Sequence, residues 1–172
     1  MTPVIVGIDL SFRNTGVAVL AGGKVKQLFT IQTDSKMTDI EACRFLFHSL
    51  QSLNYMLSEE YGEDYLYSVE IPAACGAQAP KANRAAGYAV ATMSPLLRKK
   101  DVLLKAWDIK KLVGQPKVTG PARKKLNLAL AYKLYPEANW KMRNNAPMAK
   151  EEHKADAVLL AHIARQRLRL DH

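Results

Sequence analysis

At 172 residues the chain is long enough to bury one core and too short for two large domains, so we predict a single domain spanning residues 1–172. Hydrophobic residues (48%) and charged residues (24%) stand near globular averages, and no repeat or low-complexity tract is present. The formal net charge of +9 favours a polyanionic partner, nucleic acid first, because lysines and arginines placed against phosphates release bound counterions.

Three strands are predicted at the start of the chain. Residues 4–10 and 15–21 are short apolar runs, and Gly22-Gly23 after the second run favours a tight turn. Residues 24–33 alternate between apolar and polar side chains, which is typical of a partly exposed strand. The opening therefore predicts an antiparallel meander.

Helices and strands then alternate. A helical stripe that includes Ile40 runs from Thr38 to near Gly62, a strand follows at 65–71, and a helix is predicted at 81–100. Residues 102–107 are predicted to form a strand in which Leu103 and Leu104 are buried on the two faces of the sheet. Helical patterns cover 121–135 and a last segment, which begins between 147 and 150 and ends near 168. This order predicts an α/β fold whose mixed five-stranded sheet combines the meander with β-α-β crossovers and is flanked by helices.

The sequence predicts neither a secretory signal nor a membrane span. Residues 1–7 lack the basic start and long apolar stretch of a secretory signal, and no window approaches the roughly 18 apolar residues that a membrane span needs. Cys43 and Cys75 show neither a disulfide framework nor zinc-ligand spacing. We therefore expect a cytoplasmic protein without membrane contact.

Two acidic residues lie in predicted strands. Asp9 stands near the end of an apolar strand, where a charge is costly unless a partner compensates it. Glu70 lies in the fourth strand, a natural neighbour of the first. Each also has a simpler interpretation: Asp9 can close an Asx-type turn, and Glu70 can point to water from a sheet edge.

The last helix carries a second pair of candidate ligands. His153 and Asp156 are three residues apart, so their side chains leave the same helix face. Taken alone, they can equally be solvated residues near a helix start. Together with Asp9 and Glu70, however, they would bring three carboxylates together, and the resulting repulsion calls for divalent cations. Oxygen-rich ligation with one imidazole suits Mg²⁺, with Mn²⁺ as a substitute.

These residues resemble the motifs of RuvC-type Holliday junction resolvases, which belong to the RNase H-like superfamily. Residues 7–16, Gly-Ile-Asp-Leu-Ser-Phe-Arg-Asn-Thr-Gly, resemble the family's first motif, G-x-D-P-G-x-x-x-T-G. Val69-Glu70 resembles the second motif. His153-Lys154-Ala155-Asp156 resembles the last, which is D-x-x-D or H-x-x-D on the final helix.

The resemblance implies an RNase H-like fold, a homodimer, and an endodeoxyribonuclease that resolves four-way DNA junctions with two Mg²⁺ ions per active site. It assigns four catalytic and metal-binding residues: Asp9, Glu70, His153 and Asp156. Residues 98–125 are strongly basic, and residues 109–125 resemble the family's basic connection. The positions implied to contact DNA are Lys110, Lys111, Lys117, Arg123 and Lys124.

The chain departs from the family pattern at two places. Leu10 and Ser11 replace the usual Pro-Gly after the first aspartate. Ala73 stands where the family often has an aromatic residue that wedges into the junction, which leaves Phe12 as one candidate wedge.

Two other functions remain open from the sequence, and the chain length disfavours a third. A related RNase H-like nuclease would cleave RNA/DNA hybrids or flaps with the same carboxylates. A non-catalytic nucleic-acid-binding module would use only the basic stretch. An actin-like or sugar-kinase phosphate hairpin also begins with G-x-D, but 172 residues leave no room for the second domain that closes over nucleotide.

Overall fold

The computed structural model describes residues 3–70 and 80–170, with one mixed sheet at the centre. The five strands of this sheet are β1 (Val4–Asp9), β2 (Asn14–Ala21), β3 (Lys24–Gln32), β4 (Tyr65–Glu70) and β5 (Val102–Leu104). Their spatial order is β3-β2-β1-β4-β5. The first three strands are antiparallel, and β4 runs parallel to both β1 and β5. The predicted meander and crossovers are confirmed.

Helices cover both faces of the sheet. They are α1 (Asp39–Tyr61), α2 (Pro80–Met93), α3 (Ala106–Val113), α4 (Gly120–Leu134) and α5 (Glu152–Leu170). One buried cluster joins the sheet to α1 and α2, and the other joins it to α3, α4 and α5. Side chains alternate between the two clusters along β1: Ile5 faces α5, whereas Val6 and Ile8 face α1.

Helix α1 begins where the sequence predicts. Thr38 caps it in a capping box, since its hydroxyl accepts from the Glu41 backbone N–H while the Glu41 carboxylate accepts from the Thr38 N–H. The buried stripe, however, starts two residues later than expected, at Ala42. Ile40, expected in the stripe, is 67% exposed.

Two predicted elements were too long. The helix expected at 81–100 ends at Met93, because Pro95 follows in a 3₁₀ turn and cannot continue an α-helix. The strand expected at 102–107 ends at Leu104, after which α3 begins. Leu104 is fully buried, but Leu103 is 49% exposed, because β5 is an edge strand and not a central one.

A small hairpin was not predicted. Strands β6 (Met142–Arg143) and β7 (Ala146–Pro147) pair across Asn144 and Asn145, both of which have positive φ angles. Two residues with positive φ are what a tight type I′ turn requires, and asparagine tolerates this conformation. The hairpin lies between α4 and α5.

Within residues 3–70 and 80–170, no helix combines the length and apolar character that crossing a membrane requires.

Candidate active site

Two glycines let the last helix lie directly on the first two strands. A Cβ added at Gly7 would come within 1.9 Å of the Ala157 carbonyl oxygen, and one added at Gly16 within 1.9 Å of the His153 carbonyl oxygen. Only glycine leaves room for the α5 backbone at these positions. Because Gly16 is paired with Asp9 in the sheet, this close packing sets His153 beside Asp9.

Further contacts along α5 fix how the helix is rotated about its axis and how closely it packs on the sheet. Three alanines that face the sheet, Ala157, Ala161 and Ala164, are each no more than 1% exposed. Further along, the Ser68 hydroxyl of β4 donates a hydrogen bond to the Leu160 carbonyl oxygen at 2.8 Å. Small side chains and one buried hydrogen bond therefore hold the helix that carries half of the candidate site.

Asp9 and His153 are in direct contact, although 144 positions separate them in the chain. The Nδ1–H of His153 donates to Asp9 Oδ2 at 2.7 Å, and both side chains are largely buried. This hydrogen bond raises the pKa of His153 more than burial lowers it. Because Nδ1 is engaged, Nε2 is the ring nitrogen left for a ligand.

Glu70 and Asp156 complete an acidic cluster with Asp9. Strands β1 and β4 are parallel and pair Ile8 with Val69. Asp9 and Glu70 are therefore the last residues of neighbouring strands and lie at the same end of the sheet. Burial, and then the negative charges of Asp9 and Asp156, raise the pKa of Glu70 to about 7. Burial and the charge of Asp9 likewise raise the pKa of Asp156 to about 7.

Helix α4 contributes two residues that sequence reasoning did not place here. Asn127 donates from Nδ2 to Asp156 Oδ1 at 2.5 Å. Arg123, one turn earlier, is only 8% exposed, and its guanidinium lies close enough to Glu70 and Asp156 for their charges to act on its pKa. Among the described residues, its Nη1 atom has no hydrogen-bond partner.

Arg123 therefore differs from the other basic residues of the stretch. The sequence grouped it with surface residues that contact DNA, but it is buried as a counter-charge to the acidic cluster. Lys111 and Lys117 are exposed, as the prediction requires of phosphate contacts, and Lys110 is half-buried. Lys124 is exposed but forms an ion pair with Glu152 at 2.6 Å.

Two hydrogen bonds between Thr15 and Ser11 hold the loop that follows Asp9. The Thr15 hydroxyl donates to the Ser11 carbonyl oxygen at 2.6 Å and accepts from the Ser11 N–H at 3.4 Å. Phe12 is buried and packs against Tyr88 with ring centroids 5.6 Å apart, so it is not free to act as a wedge. Ala73 and Cys75 lie outside the described residues.

The donor set suits a hard divalent cation. Three carboxylates and one imidazole nitrogen match the oxygen-rich ligation of Mg²⁺ or Mn²⁺. The pKa values of Glu70 and Asp156 are raised first by burial and then by mutual repulsion, and a cation would offset the repulsion. In the part of the chain that the structure describes, no three Asp, Glu, His or Cys side chains are grouped closely enough to form a ready ligand shell. Asp9 and Asp156 are instead hydrogen-bonded to His153 and Asn127.

The sheet order, the crossovers and the helix packed across the carboxylates define an RNase H-like α/β fold. A solved structure described as Thermus thermophilus RuvC in complex with a Holliday junction substrate has a TM-score of 0.67 to this chain at 14% identity. A second Thermus thermophilus RuvC structure has a TM-score of 0.63 at 16% identity. Each alignment covers 98% of this chain and 96% of the RuvC chain.

No family model and no curated protein matches the sequence. At identities of 14% and 16% the likeness to RuvC establishes the fold. The predicted resemblance is confirmed at that level.

The raised pKa values predict how stability depends on pH without metal. Glu70, Asp156 and His153 all have folded-state pKa values above their ordinary ones, so the folded state holds more protons than the unfolded state. Stability should therefore fall as pH rises from about 4 to above 7. In EDTA, the melting temperature at pH 8 should be lower than at pH 5, and Mg²⁺ should raise it most at pH 8.

An Asp156→Asn variant serves as the control for this measurement. It removes one titrating carboxyl, so the difference in melting temperature between pH 5 and pH 8 should shrink. An unchanged difference in the variant would contradict the assignment of the pH dependence to this cluster.

Proposed function

We propose that the protein is a metal-dependent, structure-selective DNA endonuclease that resolves four-way junctions by paired nicks. One observation carries the proposal. Asp9 and His153, from the first strand and the last helix, meet in one cluster with the coupled carboxylates of Glu70 and Asp156. The fold that holds this cluster is shared with a protein solved on a Holliday junction substrate.

Asp9, Glu70, Asp156 and Nε2 of His153 would hold two Mg²⁺ ions, with Mn²⁺ as a substitute. When bound, such ions supply an activated water and neutralise charge at the scissile phosphate, which yields a 5′ phosphate and a 3′ hydroxyl. Asp9 accepts the His153 Nδ1 proton and so keeps Nε2 turned away from this bond. Glu70 and Asp156 would have to lose their protons to serve as ligands, because their raised pKa values leave them partly protonated near neutral pH.

The substrate side of the proposal rests on charge and symmetry. Exposed Lys111 and Lys117, together with Lys110, would contact DNA phosphates beside the site. Arg123 would offset part of the negative charge of the acidic cluster, since its guanidinium lies within electrostatic reach of Asp156 and Glu70. A two-fold symmetric homodimer would place two active sites on equivalent strands of a junction, as paired nicks require.

The test uses the purified protein and a panel of labelled substrates: four-way junction, three-way junction, flap, linear duplex and RNA/DNA hybrid. Each substrate is incubated with Mg²⁺, with Mn²⁺ and with EDTA. We expect the four-way junction to be cut fastest, at paired positions, only when metal is present.

The other outcomes separate the alternatives. Preferential cutting of the hybrid or the flap would indicate a different RNase H-like nuclease that uses the same residues. Salt-sensitive junction binding without cleavage in either metal would indicate a non-catalytic binding module.

A further inference from the structure

Helix α4 carries one buried positive charge. Arg123 is 8% exposed, whereas the two lysines that follow it, Lys124 and Lys125, are exposed. Burial of a guanidinium is costly unless negative charge lies nearby. Burial lowers the pKa of Arg123, and the charges of Asp156 and Glu70 act in the opposite direction. The acidic cluster therefore compensates the buried charge.

The same face of α4 also holds one carboxylate of the cluster. Asn127 lies one turn after Arg123, and its Nδ2 atom donates to Asp156 Oδ1 at 2.5 Å. Among the described residues, Arg123 Nη1 is buried and has no hydrogen-bond partner. At Nη1 the guanidinium is thus held by charge and not by a hydrogen bond, as a bound cation would be.

Two further acids lie within electrostatic reach of the cluster, but each has a basic partner of its own. Glu152 acts on the pKa of Asp156, and it forms an ion pair with Lys124 at 2.6 Å. Asp108 acts on the pKa of Glu70, and it accepts a hydrogen bond from Arg167 at 2.6 Å. These two pairs leave the charge balance of the cluster to Arg123 and the three carboxylates.

That balance favours one divalent ion. Asp9, Glu70 and Asp156 carry three negative charges when all are deprotonated, and Arg123 supplies one positive charge. A single divalent ion then brings the cluster to neutrality, whereas a second ion would leave an excess of two positive charges. The imidazole of His153 is neutral when it binds a metal, so it does not change this sum.

We propose that Arg123 takes the place of one divalent cation in the DNA-free protein, so that the acidic cluster binds a single Mg²⁺ or Mn²⁺ ion tightly. The inference rests on the proposed metal-dependent nuclease function and specifies how many ions the free site holds. A substrate phosphate brings further negative charge, which makes a second ion favourable. The charge of Arg123 also stabilises the cluster before any metal binds.

The test counts the ions bound by the DNA-free protein. Mn²⁺ is titrated at pH 8, and electron paramagnetic resonance measures the Mn²⁺ that remains free. Arg123→Met removes the charge and keeps an unbranched apolar side chain, whereas Arg123→Lys keeps the charge. Lys133→Met is the matched control, because Lys133 is exposed near the end of the same helix. Circular dichroism establishes that each variant is folded.

We expect the wild type, Arg123→Lys and Lys133→Met each to bind one Mn²⁺ ion tightly. Arg123→Met should bind two, the second at least about tenfold more tightly than the wild type does, because one repelling charge is gone. In EDTA at pH 8, Arg123→Met should also melt at a lower temperature than Arg123→Lys, and Mn²⁺ should raise its melting temperature more.

Two results would overturn the inference. If the DNA-free wild type binds two Mn²⁺ ions with similar affinity, Arg123 replaces neither of them, and this result does not depend on the folding of any variant. If folded Arg123→Met binds one ion with the wild-type affinity, its charge does not set the number. In both cases, metal-dependent cleavage of the junction by the wild type would leave the nuclease function standing. If the wild type neither binds Mn²⁺ nor cuts any junction, both proposals fail.

Discussion

Replacing Asp9 by asparagine is expected to reduce metal-dependent cleavage of a four-way junction about a thousandfold, which corresponds to about 4 kcal/mol of activation free energy. Asp9 ends β1 at the centre of the acidic cluster, and its charge acts on both Glu70 and Asp156. The substitution removes one negative charge of the proposed metal site and no proposed phosphate contact. Junction affinity measured in EDTA should therefore stay within about twofold of the wild type.

Asp64→Asn provides the matched control for this prediction. Asp64 is an exposed aspartate that precedes β4, at the opposite end of the parallel β1–β4 pair from Asp9. The same chemical change there should leave the cleavage rate unaltered. Near wild-type cleavage by the Asp9→Asn variant would show that cleavage does not depend on the acidic cluster.

Replacing Gly16 by alanine is expected to destabilise the protein by about 3 kcal/mol or more and to remove activity as well. The added methyl group would overlap the His153 carbonyl oxygen, so α5 or β2 must move. Any such movement separates His153 from Asp9, whose hydrogen bond is 2.7 Å long. Urea unfolding followed by circular dichroism measures the first effect, and junction cleavage measures the second.

The same substitution at Gly87 is the control. Gly87 is exposed in the middle of α2, and an added Cβ there meets nothing within 4 Å. Alanine in an open helix position should stabilise the protein by about 0.5–1 kcal/mol. If Gly16→Ala unfolds at the same urea concentration as the wild type, α5 does not pack against the sheet as closely as the contact at Gly16 requires.

Local patterns were sufficient to predict the sheet and most of the helices. The alternation at residues 24–33 and the helical stripe that starts at Thr38 are signals carried by neighbouring residues, and both elements are present. Helix α3 was not predicted, because Ala106 and Trp107 are apolar and follow Val102–Leu104 so closely that they were assigned to the strand. Its signals were nevertheless available: Asp108 caps the Lys105 N–H at 2.8 Å, and Gly114 ends the helix in the left-handed conformation.

The candidate site was only partly predictable from sequence. Motif spacing named Asp9, Glu70, His153 and Asp156, which the fold brings to one end of the sheet. Nothing local distinguishes Arg123 from the lysines that follow it, because its burial depends on carboxylates contributed by β4 and α5. The Asn127 contact to Asp156 is non-local in the same way, and only coordinates reveal it.

The contact between the first strand and the last helix also has a consequence while the chain is being synthesised. Residues 3–70, which include four of the five strands of the main sheet, are synthesised before α5, and until α5 is made Asp9 and Glu70 have neither His153 nor Asp156 beside them. On a growing polypeptide the two halves of the acidic cluster therefore meet only after the segment 152–170 has been made and has packed onto Gly7 and Gly16.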